Sequence, residues 1–228
     1  MLTAREEAIM EEKGDAQYLT EGNMVQLVRN IFGATDTSAG ELHWLFLRMV
    51  KEPKIQEKIQ KEIDDNIGSA PPTYKDRARC PFTVACLLET LRCHPVLPLS
   101  FPHKTTKDTR VGGVFIPKDT GILYNAYGGN RDPKIWDDPE EFRPERFIDP
   151  ATGHLLEDAQ SLLTFGMGSR ICPGKKLAHV DMFYILVRLM QRLSCSAPAG
   201  QSAVNLEAVA SSLIMQPIKQ NIVLSRKN

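Results

Sequence analysis

One stretch concentrates residue types that could bind a metal or an electrophile: FGMGSRICPGKKLAHVDMFYILVRL, Phe165 to Leu189. A glycine-studded loop carries one cysteine, Cys172, and then Pro173 opens an amphipathic helical pattern. A cysteine reacts or ligates as its thiolate, and the free N–H groups and dipole of a helix N-terminus hold it in that form. Gly166, Gly168 and Gly174 let the backbone turn sharply or come close to a flat partner. Arg170, two residues before the cysteine, is placed to bind an acid group of such a partner. A glycine-rich helix cap with an incidental cysteine has the same outline, so the rest of the chain has to discriminate.

Three other places carry candidate chemistry. Glu89 and Arg92, in LLETLRCHP, share a helix face at i,i+3 on a largely apolar helix, and Arg146 follows in FRPERF. The bland alternative is a solvated ion pair. GATDTS, residues 33–38, places an acid and an alcohol, Asp36 and Thr37, in the middle of a long helical pattern where a buried helix would be apolar. The alternative there is a serine/threonine bend. His103 follows a proline in SFPHKTTKDT, where an ordinary loop histidine also fits.

The chain of 228 residues is long enough to bury a real core. Lys+Arg and Asp+Glu are both 28, so no global charge draws it to nucleic acid. The charged opening MLTAREEAIMEEKGD has no apolar region of a signal peptide, and no stretch approaches a membrane span. The expectation is a soluble intracellular protein or a piece of something larger, without a membrane anchor. An odd count of five cysteines without paired spacing argues against a disulfide framework and against zinc. Cys80, Cys86 and Cys93 read as small core residues, and His43, His94, His154 and His179 match no ligand position.

Several elements would have to position these groups. A long helical pattern covers 20–52, with Pro53 ending it or starting the next helix. PKIQEKIQKEIDDNIG forms an amphipathic helix with Ile55, Ile59 and Ile63 as one stripe and Gly68 as its stop. A third helix runs over 81–94, and TRVGGVFIPKDTGILYN gives short strands around turns. From 128 to 160 periodicity disappears into a proline-rich meander, in which Trp136 is a packing anchor. The cysteine loop spans 165–174, a last helix 173–193, and short terminal strands follow. The fold class is mainly α with small antiparallel β-sheets.

Phe165–Gly174 resembles the F-x-x-G-x-R-x-C-x-G signature of the cytochrome P450 haem-thiolate monooxygenases. Glu89, Arg92 and the P-E-R-F string around Arg146 resemble the same family's E-x-x-R and P-E-R-F motifs, and GATDTS its oxygen-activation stretch. The resemblance covers about Leu19 to Leu224 and corresponds to the C-terminal half of the family fold, so that residues 1–228 would be one partial domain. It implies haem b as cofactor, with Cys172 as axial thiolate ligand of the iron. Phe165, Gly168 and Gly174 would shape the loop beneath the haem, and Arg170 and His103 would pair with its propionates. Asp36 and Thr37 would handle protons on the distal side, and Glu89, Arg92 and Arg146 would form a structural triad. Ala34 stands where the family has glycine, after Gly33; a one-residue deletion there would rotate everything upstream by about 100° of helix.

The resemblance is to the microsomal group that hydroxylates steroids and foreign compounds. It implies insertion of one oxygen atom from O2 into a small lipophilic substrate. NADPH electrons would arrive through NADPH-cytochrome P450 reductase, with cytochrome b5 as a second candidate donor, on a proximal face that carries Lys175 and Lys176. No nucleic-acid partner is implied. A full-length member is expected at the endoplasmic reticulum membrane, with an anchor and early helices that this sequence lacks. The competing expectation is a truncated, non-catalytic fragment or isoform with at most weak haem binding.

Overall fold

A computed structural model describes residues 20–156, 162–201, 204–211 and 213–227. The charged N-terminal stretch and the end of the expected meander, 157–160, lie outside the described residues. The chain forms two compact units, Met1–Ser38 and Ala39–Asn228.

Helix α1, Glu21–Lys51, contributes Glu21–Ser38 to the first unit. There Leu27, Ile31 and Phe32 are exposed. From Gly40 onward the same helix is buried, with Trp44, Leu45, Leu47 and Met49 fully covered. Pro53 stops it: Glu52 leaves the helical region before the proline ring, at φ −128° and ψ 77°, and α2, Pro53–Asn66, starts with proline in its first turn. Ile55, Ile59 and Ile63 form the buried stripe of α2. Gly68, at φ +64°, closes it by donating its N–H to the Ile63 carbonyl.

Helix α3, Pro81–Cys93, is buried on nearly every side. Its free N-terminal amides are satisfied from another helix, because the Glu62 carboxylate of α2 accepts from Phe82 N at 2.8 Å and Thr83 N at 2.7 Å. A short helix α4, Ala126–Gly129, opens the meander, and a single 3-10 turn, Pro144–Phe147, interrupts it. Helix α5 spans Lys175–Met190, shorter than the expected 173–193. Beyond it, Leu193–Ser196 is drawn into strand β5, paired antiparallel with β8, Val223–Arg226, so the backbone leaves the helix to satisfy a ladder.

Among the described residues, four two-stranded antiparallel pairs complete the second unit. Strand β1, His103–Lys104, pairs with β4, Gly121–Ile122. Strand β2, Thr109–Val111, pairs with β3, Val114–Ile116, across Gly112 and Gly113, both at positive φ as a two-residue hairpin turn requires. Strands β6, Ala208–Ser211, and β7, Ile214–Pro217, form the last hairpin. The core lies among α2, α3, α5 and the buried end of α1, where Phe183, Leu186 and Met190 meet Ile59, Ile63 and Leu91. Each such fully buried side chain stabilises the unit by about 1.5–3 kcal/mol. No helix among the described residues is long and apolar enough to cross a membrane.

Candidate functional site

Cys172 sits in a loop that its own backbone closes. Cys172 N donates to the Phe165 carbonyl at 2.8 Å, and Gly166 N to Leu163 O at 2.9 Å. Gly166 and Gly168 take φ +75° and +65°, which side-chain-bearing residues rarely adopt. Gly174 does not: its φ is −84°, and a Cβ there would meet only the Cys172 Sγ, at 3.8 Å. Lys175, the first residue of α5, donates its N–H to the Cys172 carbonyl, so the cysteine lies at the helix N-terminus.

Exposure separates this thiol from the others. Cys172 is exposed, whereas Cys80, Cys86, Cys93 and Cys195 are buried. Burial pushes Cys80 and Cys93 up to about 12, Cys195 to about 11, and Cys86 well above the ordinary thiol range. Those four stay protonated near neutral pH, and burial closes them off from an outside partner.

Arg170 and His103 come together across one concavity of about 340 Å³, its walls supplied by His103–Thr105 with Ile122 and Tyr124, and by Met167–Arg170. No carboxylate lines it. The Arg170 guanidinium has no ion pair or hydrogen bond among the described residues. Phe165, half-buried, packs its ring against His179 with centroids 5.0 Å apart.

Behind the loop, Glu89, Arg92 and Arg146 meet in the interior. Arg92 Nε reaches Glu89 Oε2 at 2.8 Å, and both side chains are fully buried. Glu89 Oε1 also accepts from Arg146 Nε at 3.1 Å and from the Arg143 backbone N–H at 2.8 Å. The two guanidinium groups then spend their remaining donors on coil carbonyls. Arg92 binds those of Asn130, Pro139 and Glu141, and Arg146 that of Asp137. A meander without a ladder needs such donors, since buried carbonyls left unpaired are costly. Trp136 anchors the same segment: its indole N–H donates to Gly129 O at 3.2 Å and its ring packs on Phe147.

Sequence reasoning missed the residue that links this cluster to the loop. Asn130, fully buried, accepts from Leu163 N at 2.9 Å and donates to Thr164 Oγ1 at 3.1 Å. Thr164 in turn donates to Leu91 O of α3 at 2.6 Å. The only signal was the turn-forming GGNRDP, which marks a turn and not a cross-link.

Asp36 and Thr37 belong to the first unit. Asp36 is exposed, Thr37 half-buried, and the helix runs unbroken through Gly33 and Ala34. Thr37 Oγ1 donates to Ala34 O at 3.0 Å and Thr35 Oγ1 to Ile31 O at 3.1 Å, so both hydroxyls back-bond their own helix.

The family model of cytochrome P450 matches residues 1–224. The chain belongs to the cytochrome P450 family. It is 40% identical over 192 residues to human cytochrome P450 1A2, covering 82% of this chain and 37% of that protein. It is 36% identical over 198 residues to rat steroid 17-alpha-hydroxylase/17,20 lyase, covering 86% and 39%. It is 35% identical over 220 residues to pig steroid 21-hydroxylase, covering 90% and 43%. The structure of a zebra fish cytochrome P450 with progesterone matches with a TM-score of 0.82 at 34% identity, over 92% of this chain and 47% of that one. The chain thus spans about two fifths of the length of these curated relatives, and its mainly α architecture with small sheets is a partial P450 fold.

Haem is the group that the P450 family implies, and the residues present fit it. The one exposed thiol stands beside a glycine that the protein's own packing does not demand. A cation with no partner among the described residues and a histidine flank a concavity free of carboxylates, as the anionic edge of a porphyrin requires.

Proposed function

We propose that this chain carries the proximal, ligand-bearing part of a haem-thiolate monooxygenase acting on small lipophilic compounds of the steroid or xenobiotic class. The observation that carries the reading is the single exposed cysteine at a helix N-terminus, facing outward while every other thiol is buried and protonated. Cys172 would ligate the iron, and Arg170 and His103 would hold the propionates across their shared concavity. When bound, the haem supplies activation of O2, with a thiolate ligand favouring O–O cleavage.

The chain's own residues divide the remaining work. The start of α5 sets the partial positive charge of a helix N-terminus beside Cys172, a setting suited to an anionic ligand. Glu89, Arg92 and Arg146 hold the meander, and Asn130 passes that order to Leu163 and Thr164 at the base of the loop. Asp36 and Thr37 would supply a carboxylate and a hydroxyl able to move protons. Lys175 and Lys176 present positive charge at the start of α5, suited to an acidic electron donor such as NADPH-cytochrome P450 reductase or cytochrome b5. The relatives support an endoplasmic reticulum setting for the whole protein.

The test is spectroscopic. Residues 1–228 are produced with haem, reduced with dithionite and exposed to carbon monoxide. A thiolate-type Soret band is expected, and Cys172→Ala is expected to abolish it. No haem uptake, or a band that survives Cys172→Ala, overturns the ligand assignment. Turnover is then assayed with NADPH, reductase and progesterone; haem uptake without product leaves a haem-binding chain that is not itself an oxygenase.

A further inference from the structure

Tyr124 stands where the two walls of the concavity meet. It follows β4 on the wall that carries His103, and its ring meets the His103 ring edge-on with centroids 6.2 Å apart. Its hydroxyl crosses to the other wall. Tyr124 Oη lies 3.5 Å from Leu163 O, and a Cβ at Gly166 would come within 3.0 Å of it. The bare face of Gly166 is therefore the seat of the phenol. On the same side lies Ser100, whose hydroxyl donates to Phe101 O at 3.1 Å. Ser100 is 4% exposed and held at φ +59°, a strained conformation for a residue with a side chain that persists only where its surroundings impose it.

We propose that Tyr124 is a positioning residue for the ligand loop: its phenol clasps the Leu163–Gly166 turn to the Ser100–His103 segment, and so sets Cys172 and Arg170 against His103. The clasp is built from this chain's own contacts, and its bearing on haem rests on the haem-thiolate reading above. Ring packing alone would need only the aromatic face. The hydroxyl is the part that crosses to the second wall, because it meets Leu163 O and the bare face of Gly166.

Tyr124→Phe removes the hydroxyl and keeps the ring. In the chain without haem, alkylation of Cys172 by iodoacetamide, followed by mass spectrometry, is expected to quicken about two- to tenfold in this variant, the range spanned by one neutral hydrogen bond. Thermal melting is expected to stay close to the unmodified chain. In the haem-loaded chain, transfer of haem to an apo-globin scavenger is expected to quicken by a similar factor, and part of the thiolate-type band to give way to the thiol-type band. Gly166→Ala is expected to lose haem faster still, and Tyr124→Phe to restore part of that loss, since it removes the atom the new methyl group meets. An unchanged alkylation rate in Tyr124→Phe overturns the proposal, whether or not haem binds. Failure of the unmodified chain to take up haem overturns the haem-thiolate reading instead, and the alkylation rates still decide the clasp.

Discussion

Glu41 offers a test in which stability changes with pH in a direction set by burial. It lies on the buried part of α1 and is 4% exposed. One carboxyl oxygen accepts from Val96 N at 3.1 Å, and the other has no partner among the described residues. Desolvation raises its pKa from 4.5 to about 8, opposed in part by the Val96 N–H. In the unfolded chain the acid ionises near 4.5, whereas folded it keeps its proton to about 8. Across that window the folded state binds more protons, so stability falls as pH rises, by at most about 1.4 kcal/mol per pH unit. The whole window amounts to about 4–5 kcal/mol, comparable to the lower end of a domain's total stability. Glu41→Gln keeps an acceptor for Val96 but cannot ionise, and it buries an amide N–H at a penalty of about 1–3 kcal/mol. The two stability curves should therefore cross, with the glutamine form less stable at the acidic end and more stable near and above pH 8. His94 and His179 slope the other way. Burial lowers them from 6.5 to about 3 and about 4, so their contribution is lost as pH falls below 6.5. The difference between the two curves cancels them, and urea titrations over the pH series measure it. A constant difference across the window would show that Glu41 ionises in the folded chain as it does in water, and would refute the reasoning.

Two further outcomes probe the links behind the loop. Glu89→Gln leaves Arg92 and Arg146 as uncompensated buried cations and should cost about 3–5 kcal/mol in the urea midpoint analysis; a loss below about 1 kcal/mol would mean the ion pairs are solvated. Glu62→Ala removes the acceptor for the first amides of α3 and should cost about 1–2 kcal/mol. Hydrogen exchange at Phe82 and Thr83 should quicken, and unchanged exchange at both amides would show that Glu62 does not cap the helix.

The mainly α fold class and the punctuation of its helices were legible in the residues alone. Pro53, Gly68 and Pro81 act through φ and missing or freed N–H groups, which are properties of one residue and its immediate neighbours. The stretch Phe165–Gly174 was legible for the same reason, since its glycines and cysteine lie within one loop. What tertiary structure alone decided is which polar groups leave water. Glu89 and Arg92 look the same on a solvated helix, and only packing makes them fully buried, with Arg146 brought in from 57 positions away. Glu62 reads as a surface acid until α3 presents its N-terminus, and Asn130 reads as a turn residue until Leu163 and Thr164 close on its amide. Tyr124 reads as a strand-end aromatic until Gly166 leaves room for its hydroxyl. Local conformational preference is written in adjacent residues, whereas the partner of a buried polar group is fixed by which surfaces the hydrophobic core brings together, and that pairing has no signature near either residue.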